Sequence, residues 1–216
     1  MTEVDGFRKT LKVTAIDAFL QFAMHNLLTN PFVQMDETYL QAVRSDKAPA
    51  SDHYTVVRAA GPPGRRIILF NYEPSRTVAA LQNLLIGPQG PYTGKLLTDG
   101  LELYDRVAEA LKLVHLGCLQ HCRTYYHKAE KVTELRSGKN LARVALEDYI
   151  CKVYAVERHI KELREAQEKS GETLSLEIVK KLRQEKSAPL MTAFKEWVDA
   201  LLPAVPPQSA LGKAIS

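Results

Sequence analysis

Two short stretches decide how this chain is read: Met35-Asp36-Glu37-Thr38 and Leu96-Leu97-Thr98-Asp99-Gly100. Each places an aspartate in or just after an apolar run that reads as a strand. A carboxylate there is unusual, because buried charge is costly unless it is paired or bound to a metal. Two strand-borne aspartates far apart in sequence are what a divalent-metal phosphoryl-transfer site needs, and hard cations prefer carboxylate oxygens. A third acid completes such a set. Taken alone, a strand-end Asp-Gly is most often a turn, so spacing by itself leaves both readings open.

The segments around these aspartates alternate between strand and helix signals. Apolar residues at helical spacing (Ile16, Phe19, Leu20, Ala23, Leu27) predict a helix over 13–29, stopped by Asn30-Pro31. Strands are expected over 32–43, 54–58 and 66–72, with a polar loop at 44–53 and a Gly61-Pro62-Pro63-Gly64 turn. Pro74-Ser75 can cap a helix at about 76–86, and a Gly/Pro loop follows at 87–94. A short strand (95–98), a helix (101–111), a strand (113–117) and a helix from Leu119 to about Leu135 complete this part. The order predicts an α/β fold, a mixed sheet with helices packed on it.

Beyond Ser137-Gly138 only helix signals remain. Leu146, Tyr149, Ile150, Val153, Val156, Ile160 and Leu163 form one apolar stripe, broken at Ser170-Gly171. A helix is expected over 174–184, and Ser187-Ala188-Pro189 predicts the start of another. That helix carries Leu190, Phe194, Trp197, Val198 and Leu201. Such stripes are ordinary core-facing surfaces, and Trp197 reads as core or as a DNA-facing aromatic.

The chain has 216 residues, 45% hydrophobic and 25% charged, with net charge +4 and pI about 8.9. No apolar run approaches the roughly 18 residues of a membrane span, and Met1 to Lys12 lacks the apolar core of a secretory signal. Three cysteines, Cys118, Cys122 and Cys151, fit a reducing cytosol better than a disulfide framework. Between Lys112 and Arg143, seven basic residues face only Glu130 and Glu134, a local net charge of +5. Arg123, Lys128 and Lys131 belong to this strip. It can neutralise phosphates, or it can be a solvated helix face. Cys118-x-x-His121 has the form of half a zinc site, but four ligands are usual, and only Cys122 and His127 lie near in sequence.

These motifs resemble those of the insertion-sequence sixty-six family of transposases, acidic-triad enzymes with a ribonuclease H-like fold. The resemblance rests on Met35-Asp36-Glu37-Thr38, Leu69 to Arg76, Leu97-Thr98-Asp99-Gly100 with Tyr104, Val114 to Arg123, Lys152 to Glu157, and Ser209 to Ile215. It runs from about residue 30 to the end, and residues 1–29 match poorly.

The resemblance implies a ribonuclease H-like mixed sheet with an all-helical insertion. It implies a division into an N-terminal helical lead (1–31), a partial catalytic core (32–137) and a helical insertion, truncated at its end (138–216). Asp36 and Asp99 take the first two catalytic and metal-binding places, and Glu37 faces away from Asp36 by strand alternation. The family's glutamate lies beyond the Ala210-Leu211-Gly212-Lys213-Ala214-Ile215 segment, so no residue here takes the third place. Two Mg²⁺ or Mn²⁺ ions are expected in the complete enzyme. Arg123, Lys128 and Lys131 are expected on DNA, and Cys118 and His121 in packing or substrate positioning. Implied partners are transposon-end and target DNA and other transposase subunits, with no membrane, in the nucleoid-associated cytoplasm. The implied activity is metal-dependent strand cleavage and transfer. The alternative is a non-catalytic truncated remnant that binds DNA or an intact transposase.

Overall fold

The computed structural model describes residues 2–40, 53–62, 64–134 and 140–215, and side chains within these from residue 14 onward, 133 and 134 excepted. Outside them lie strand residues 41–43, most of the expected loop (44–52), Pro63 of the turn, Arg136 and Lys139 of the basic strip, and the Ser137-Gly138 boundary. By internal contacts the chain divides into two compact units, Met1–Cys118 and Leu119–Ser216.

The first unit is built on a five-stranded mixed sheet. Helix α1 (Thr2–Leu28) leads into β1 (Phe32–Leu40), β2 (His53–Ala60) and β3 (Ile67–Glu73). These three form an antiparallel meander. Helix α2 (Val78–Asn83), a hairpin of β4 (Ile86–Gly87) and β5 (Gly90–Pro91), strand β6 (Lys95–Thr98), helix α3 (Glu102–Leu111) and β7 (Val114–Gly117) follow. The sheet order is β3-β2-β1-β6-β7, with β6 parallel to β1 and β7 parallel to β6. This is the mixed α/β arrangement expected from the sequence.

One face of that sheet carries the core. Val33 and Met35 of β1, Val56 of β2 and Leu96 of β6 are buried with Leu27, Leu81, Leu85, Tyr104 and Val107 from the helices. Alternation therefore turns Gln34, Asp36 and Leu97 to the other face. Arg58 breaks the apolar pattern: it lies on the core face and is only 1% exposed. Its guanidinium donates to the Leu84 carbonyl and, at 2.7 Å, to Asn71 Oδ1. Burial lowers its pKa to about 10, partly offset by Glu73.

Three local expectations are corrected in this unit. Helix α1 begins at Thr2, well before residue 13, because nothing in the polar stretch 2–12 stops it. Only the end of its apolar stripe is buried: Ala23 and Leu27 enter the core, whereas Ile16, Phe19 and Leu20 are exposed. Helix α2 is capped by Thr77, whose hydroxyl accepts from the Ala80 N–H at 3.2 Å. Ser75 is not the cap, since Arg76 and Thr77 stay extended before the helix. The Gly/Pro loop contains the β4–β5 hairpin, turned at Gly90 with φ of +104°, a conformation glycine adopts without strain.

The second unit is all helical. Helix α4 (Leu119–Glu134) is followed by α5 (Leu141–Val144), a π turn (Ala145–Ile150) and α6 (Cys151–Lys169). These last three run on as one helix. After the Ser170-Gly171 turn come α7 (Leu176–Leu182), a second π turn (Arg183–Ser187) and α8 (Ala188–Leu201), again continuous. A 3₁₀ turn (Leu202–Ala204) and α9 (Gly212–Ile215) close it.

The expected helix start at Ser187 is therefore an interior position. Ser187 is helical (φ −83°, ψ −40°) and makes no capping bond. Pro189 lacks an N–H and would clash with the carbonyl four residues back in a regular helix. The wider π turn just before it relieves that conflict.

Two apolar clusters hold the helices together. Tyr126, Ala129, Ala142, Ala145, Leu146, Ile150 and Phe194 form one. Trp197 is half-buried beside it, with ring centroids 6.2 Å from Phe194 and 5.6 Å from Tyr149. Val156 and Ile160 belong instead to a second cluster with Leu174 and Val179. Ile160 therefore packs with Leu174 and Val179 and not with Phe194, although it shares an apolar stripe with Tyr149. In an antiparallel helix pair, residues near the turn meet one another and not the far end. Among the described residues, no helix is long and apolar enough to cross a membrane.

Candidate metal centre

The parallel pairing of β1 with β6 sets the geometry. Gln34 pairs with Leu97. Asp36 lies two residues beyond Gln34 on β1, and Asp99 directly follows β6, two residues beyond Leu97. Adjacent strands lie about 4.8 Å apart. Alternation turns Asp36 to the face away from the first unit's core. Asp36 is exposed and Asp99 half-buried.

Each carboxylate is oriented by local backbone. Asp36 Oδ1 accepts from the Glu37 N–H at 2.9 Å. Asp99 Oδ1 accepts from the Leu101 N–H at 3.1 Å, where α3 begins. The neighbouring Thr98 hydroxyl donates to the Asp99 carbonyl at 2.9 Å and contacts His115 Nε2 at 2.7 Å. The other ring nitrogen of His115 lies 2.7 Å from Asp105 Oδ1. Cys118 follows β7, and its N–H donates to the Thr98 carbonyl at 2.8 Å.

Beneath the aspartates lies a network that sequence reasoning left out. Glu37 points into the unit, its side chain only 5% exposed. Arg76, from the connection before α2, donates to Glu37 Oε1 at 3.1 Å. Tyr104, fully buried in the first turn of α3, donates its hydroxyl to Glu37 Oε2. The Arg76 guanidinium also lies over the rings of Tyr54 and Tyr39, at 5.2 and 5.9 Å.

Burial raises the pKa of Tyr104 well above the ordinary value. The hydrogen bond to Glu37 and the fields of Glu37, Asp99 and Asp36 push it further the same way. Its hydroxyl therefore stays protonated as a donor, within the field of all three carboxylates. Arg76 is also held above its ordinary value. Burial opposes this, but the Glu37 bond and the fields of Tyr54, Glu37 and Tyr39 outweigh it.

Other predicted site residues lie on the second unit. His121 is in the first turn of α4. Arg123 is on the same helix, its guanidinium 5.3 Å from the Tyr154 ring centroid. Lys128 is exposed over Tyr125 at 5.5 Å, and Lys131 is exposed. Among the described residues, no three His, Cys, Asp or Glu side chains gather where they could hold a metal ion.

The donor set still suits a hard divalent cation. Mg²⁺ is commonly held by one or two carboxylates, with waters and substrate phosphates completing its shell. Asp36 and Asp99 are two carboxylates on or just after adjacent strands, one of them exposed.

One protein-family model matches most of the chain. The model described as "Transposase IS66 family" matches residues 9–216, and the chain belongs to that family. The match takes in most of α1, so residues 9–29 are part of the family pattern, contrary to the expectation that residues 1–29 match poorly. Comparison with curated proteins found no match. The family is one of transposases, whose general substrate is DNA and whose general requirement is a divalent metal.

Proposed function

We propose that this chain supplies the Asp36–Asp99 part of a transposase catalytic centre, which cleaves and joins phosphodiester bonds at transposon ends. The observation that supports this reading is the parallel β1–β6 pairing, whose last paired residues, Gln34 and Leu97, each stand two residues before one of the aspartates. In this reading residues 32–137 belong to a ribonuclease H-like core, with 1–31 its lead and 138–216 the helical insertion.

Asp36 and Asp99 would hold Mg²⁺ or Mn²⁺, two ions in the complete site. Such ions supply Lewis-acid activation and stabilisation of the charge that develops in phosphoryl transfer. The protein's own contribution is orientation. Backbone N–H groups of Glu37 and Leu101 orient one oxygen of each aspartate. The Glu37–Arg76–Tyr104 network ties β1 to α3 directly beneath them. Cys118 and His121 would serve in packing or substrate positioning. Arg123, Lys128 and Lys131 would neutralise DNA phosphates, with other transposase subunits as partners in the nucleoid-associated cytoplasm.

Thermal unfolding in MnCl₂ tests the reading. A ligand that binds only the folded state at 100 times its Kd adds about 2.7 kcal/mol. The wild-type Tm should therefore rise with Mn²⁺, and the rise should vanish in Asp99→Asn. An equal rise in wild type and Asp99→Asn would remove Asp99 from the site.

A further inference from the structure

The second unit contains a cavity of about 410 Å³ between α4 and α6, lined by Arg123, Cys151, Tyr154, Glu157, Arg158 and Lys161. Its chemistry is cationic. Three basic side chains face one carboxylate, and that carboxylate is already engaged: Arg183 donates Nε and one terminal nitrogen to Glu157, both at 2.7 Å. Among the described residues Lys161 pairs with exposed Glu165 at 3.5 Å, and such surface pairs are weak and readily exchanged.

Arg123 is held ready in this cavity. Its guanidinium stacks on the Tyr154 ring at 5.3 Å, and the Tyr154 hydroxyl is anchored to Gln120 Oε1 at 3.1 Å. Yet Arg123 Nε is buried with no hydrogen-bond partner among the described residues. A buried donor without an acceptor is costly and calls for an explanation such as a ligand. A planar, stacked guanidinium matches the oxygens of a phosphate, and its preorganisation reduces the entropy lost on binding.

We propose that this α4–α6 cavity is a phosphodiester-binding site that holds one backbone segment of a DNA strand through Arg123, Arg158 and Lys161. The proposal rests on the DNA-binding reading above and changes where that contact is centred. Arg158 and Lys161 of α6, not Lys128 and Lys131, are the partners of Arg123. The cavity's volume of about 410 Å³ is taken to hold one phosphate with its flanking sugars.

The test uses the full chain, a fluorescein-labelled 20-nucleotide single strand, and anisotropy across a salt series. For single strands the log–log salt slope is about −0.7 per phosphate neutralised. The combined variant Arg123→Ala, Arg158→Ala, Lys161→Ala should flatten the slope by about 0.7, the contribution of one phosphate, and weaken binding at low salt. The exposed pair Lys180→Ala, Lys181→Ala on α7, outside the cavity, should leave it nearly unchanged. The lysine variant Arg123→Lys, Arg158→Lys should keep most of the slope, which a merely structural role would not predict. A second readout avoids mutation: the oligonucleotide should slow maleimide alkylation of the exposed Cys151, located by mass spectrometry. Absence of any wild-type binding would overturn the DNA reading and the site with it. Binding whose slope the combined variant leaves unchanged, or that leaves Cys151 alkylation unchanged, would overturn the site and leave the DNA reading standing.

Discussion

Replacing Glu37 by alanine is expected to destabilise the protein by about 3 kcal/mol, read as a lower urea midpoint with an unchanged m-value. The Tyr104 hydroxyl is fully buried, and removing its acceptor costs about the desolvation of that group, 1–3 kcal/mol. Arg76 loses its partner as well. Its side chain is 29% exposed, so water recovers part of that loss, and the 3–5 kcal/mol typical of breaking a fully buried pair is an upper bound. Glu37→Gln keeps an acceptor for Tyr104 and should cost about 1 kcal/mol. Equal losses in the two variants would show that the Tyr104 bond contributes little.

The second large effect lies in the helical unit. Phe194 is 7% exposed and touches Tyr126, Tyr149 and Trp197, with ring centroids at 5.8, 5.4 and 6.2 Å. Phe194→Ala removes the centre of this aromatic group and should cost about 3–5 kcal/mol. The chain's only tryptophan, Trp197, reports the change directly. Its emission should move to longer wavelength in the folded variant, and its unfolding midpoint should fall. Unchanged emission and midpoint would mean that the four rings do not pack as a group.

What could be read in the sequence was whatever is local or periodic. The three-strand meander, the short strands around Asp99 and the succession of helices follow from apolar alternation, Pro/Gly turns and helical stripes. Asp36 and Asp99 were visible because a carboxylate stands out against an apolar strand. Their juxtaposition was not, since it depends on β6 pairing with β1 in parallel register. The Glu37 network was hidden for the same reason. Its partners lie 39 and 67 residues away, and no period links them, although both stand in motifs that carried the family resemblance.

Helix continuity misled the reading in the second unit. Ser187-Ala188-Pro189 has the composition of a helix start, but a π turn absorbs the proline and the helix runs through it. The Lys112–Arg143 strip was bounded by counting charges along one segment. Arg158 and Lys161 were overlooked because α6 brings them beside Arg123 from outside that segment. In α1, spacing marked Ile16, Phe19 and Leu20 as a stripe, but periodicity does not say whether anything covers it.

The central claim is that Asp36 and Asp99 form one site. It is tested most directly by Mn²⁺ titration followed by electron paramagnetic resonance on wild type, Asp36→Asn, Asp99→Asn and the double variant. Ligands that share an ion are not independent, so their effects on binding do not add. The account predicts that each single variant loses at least about tenfold in Mn²⁺ affinity, about 1.4 kcal/mol, and that the double variant loses little more. Full affinity in either single variant, or losses that simply add in the double variant, would contradict it.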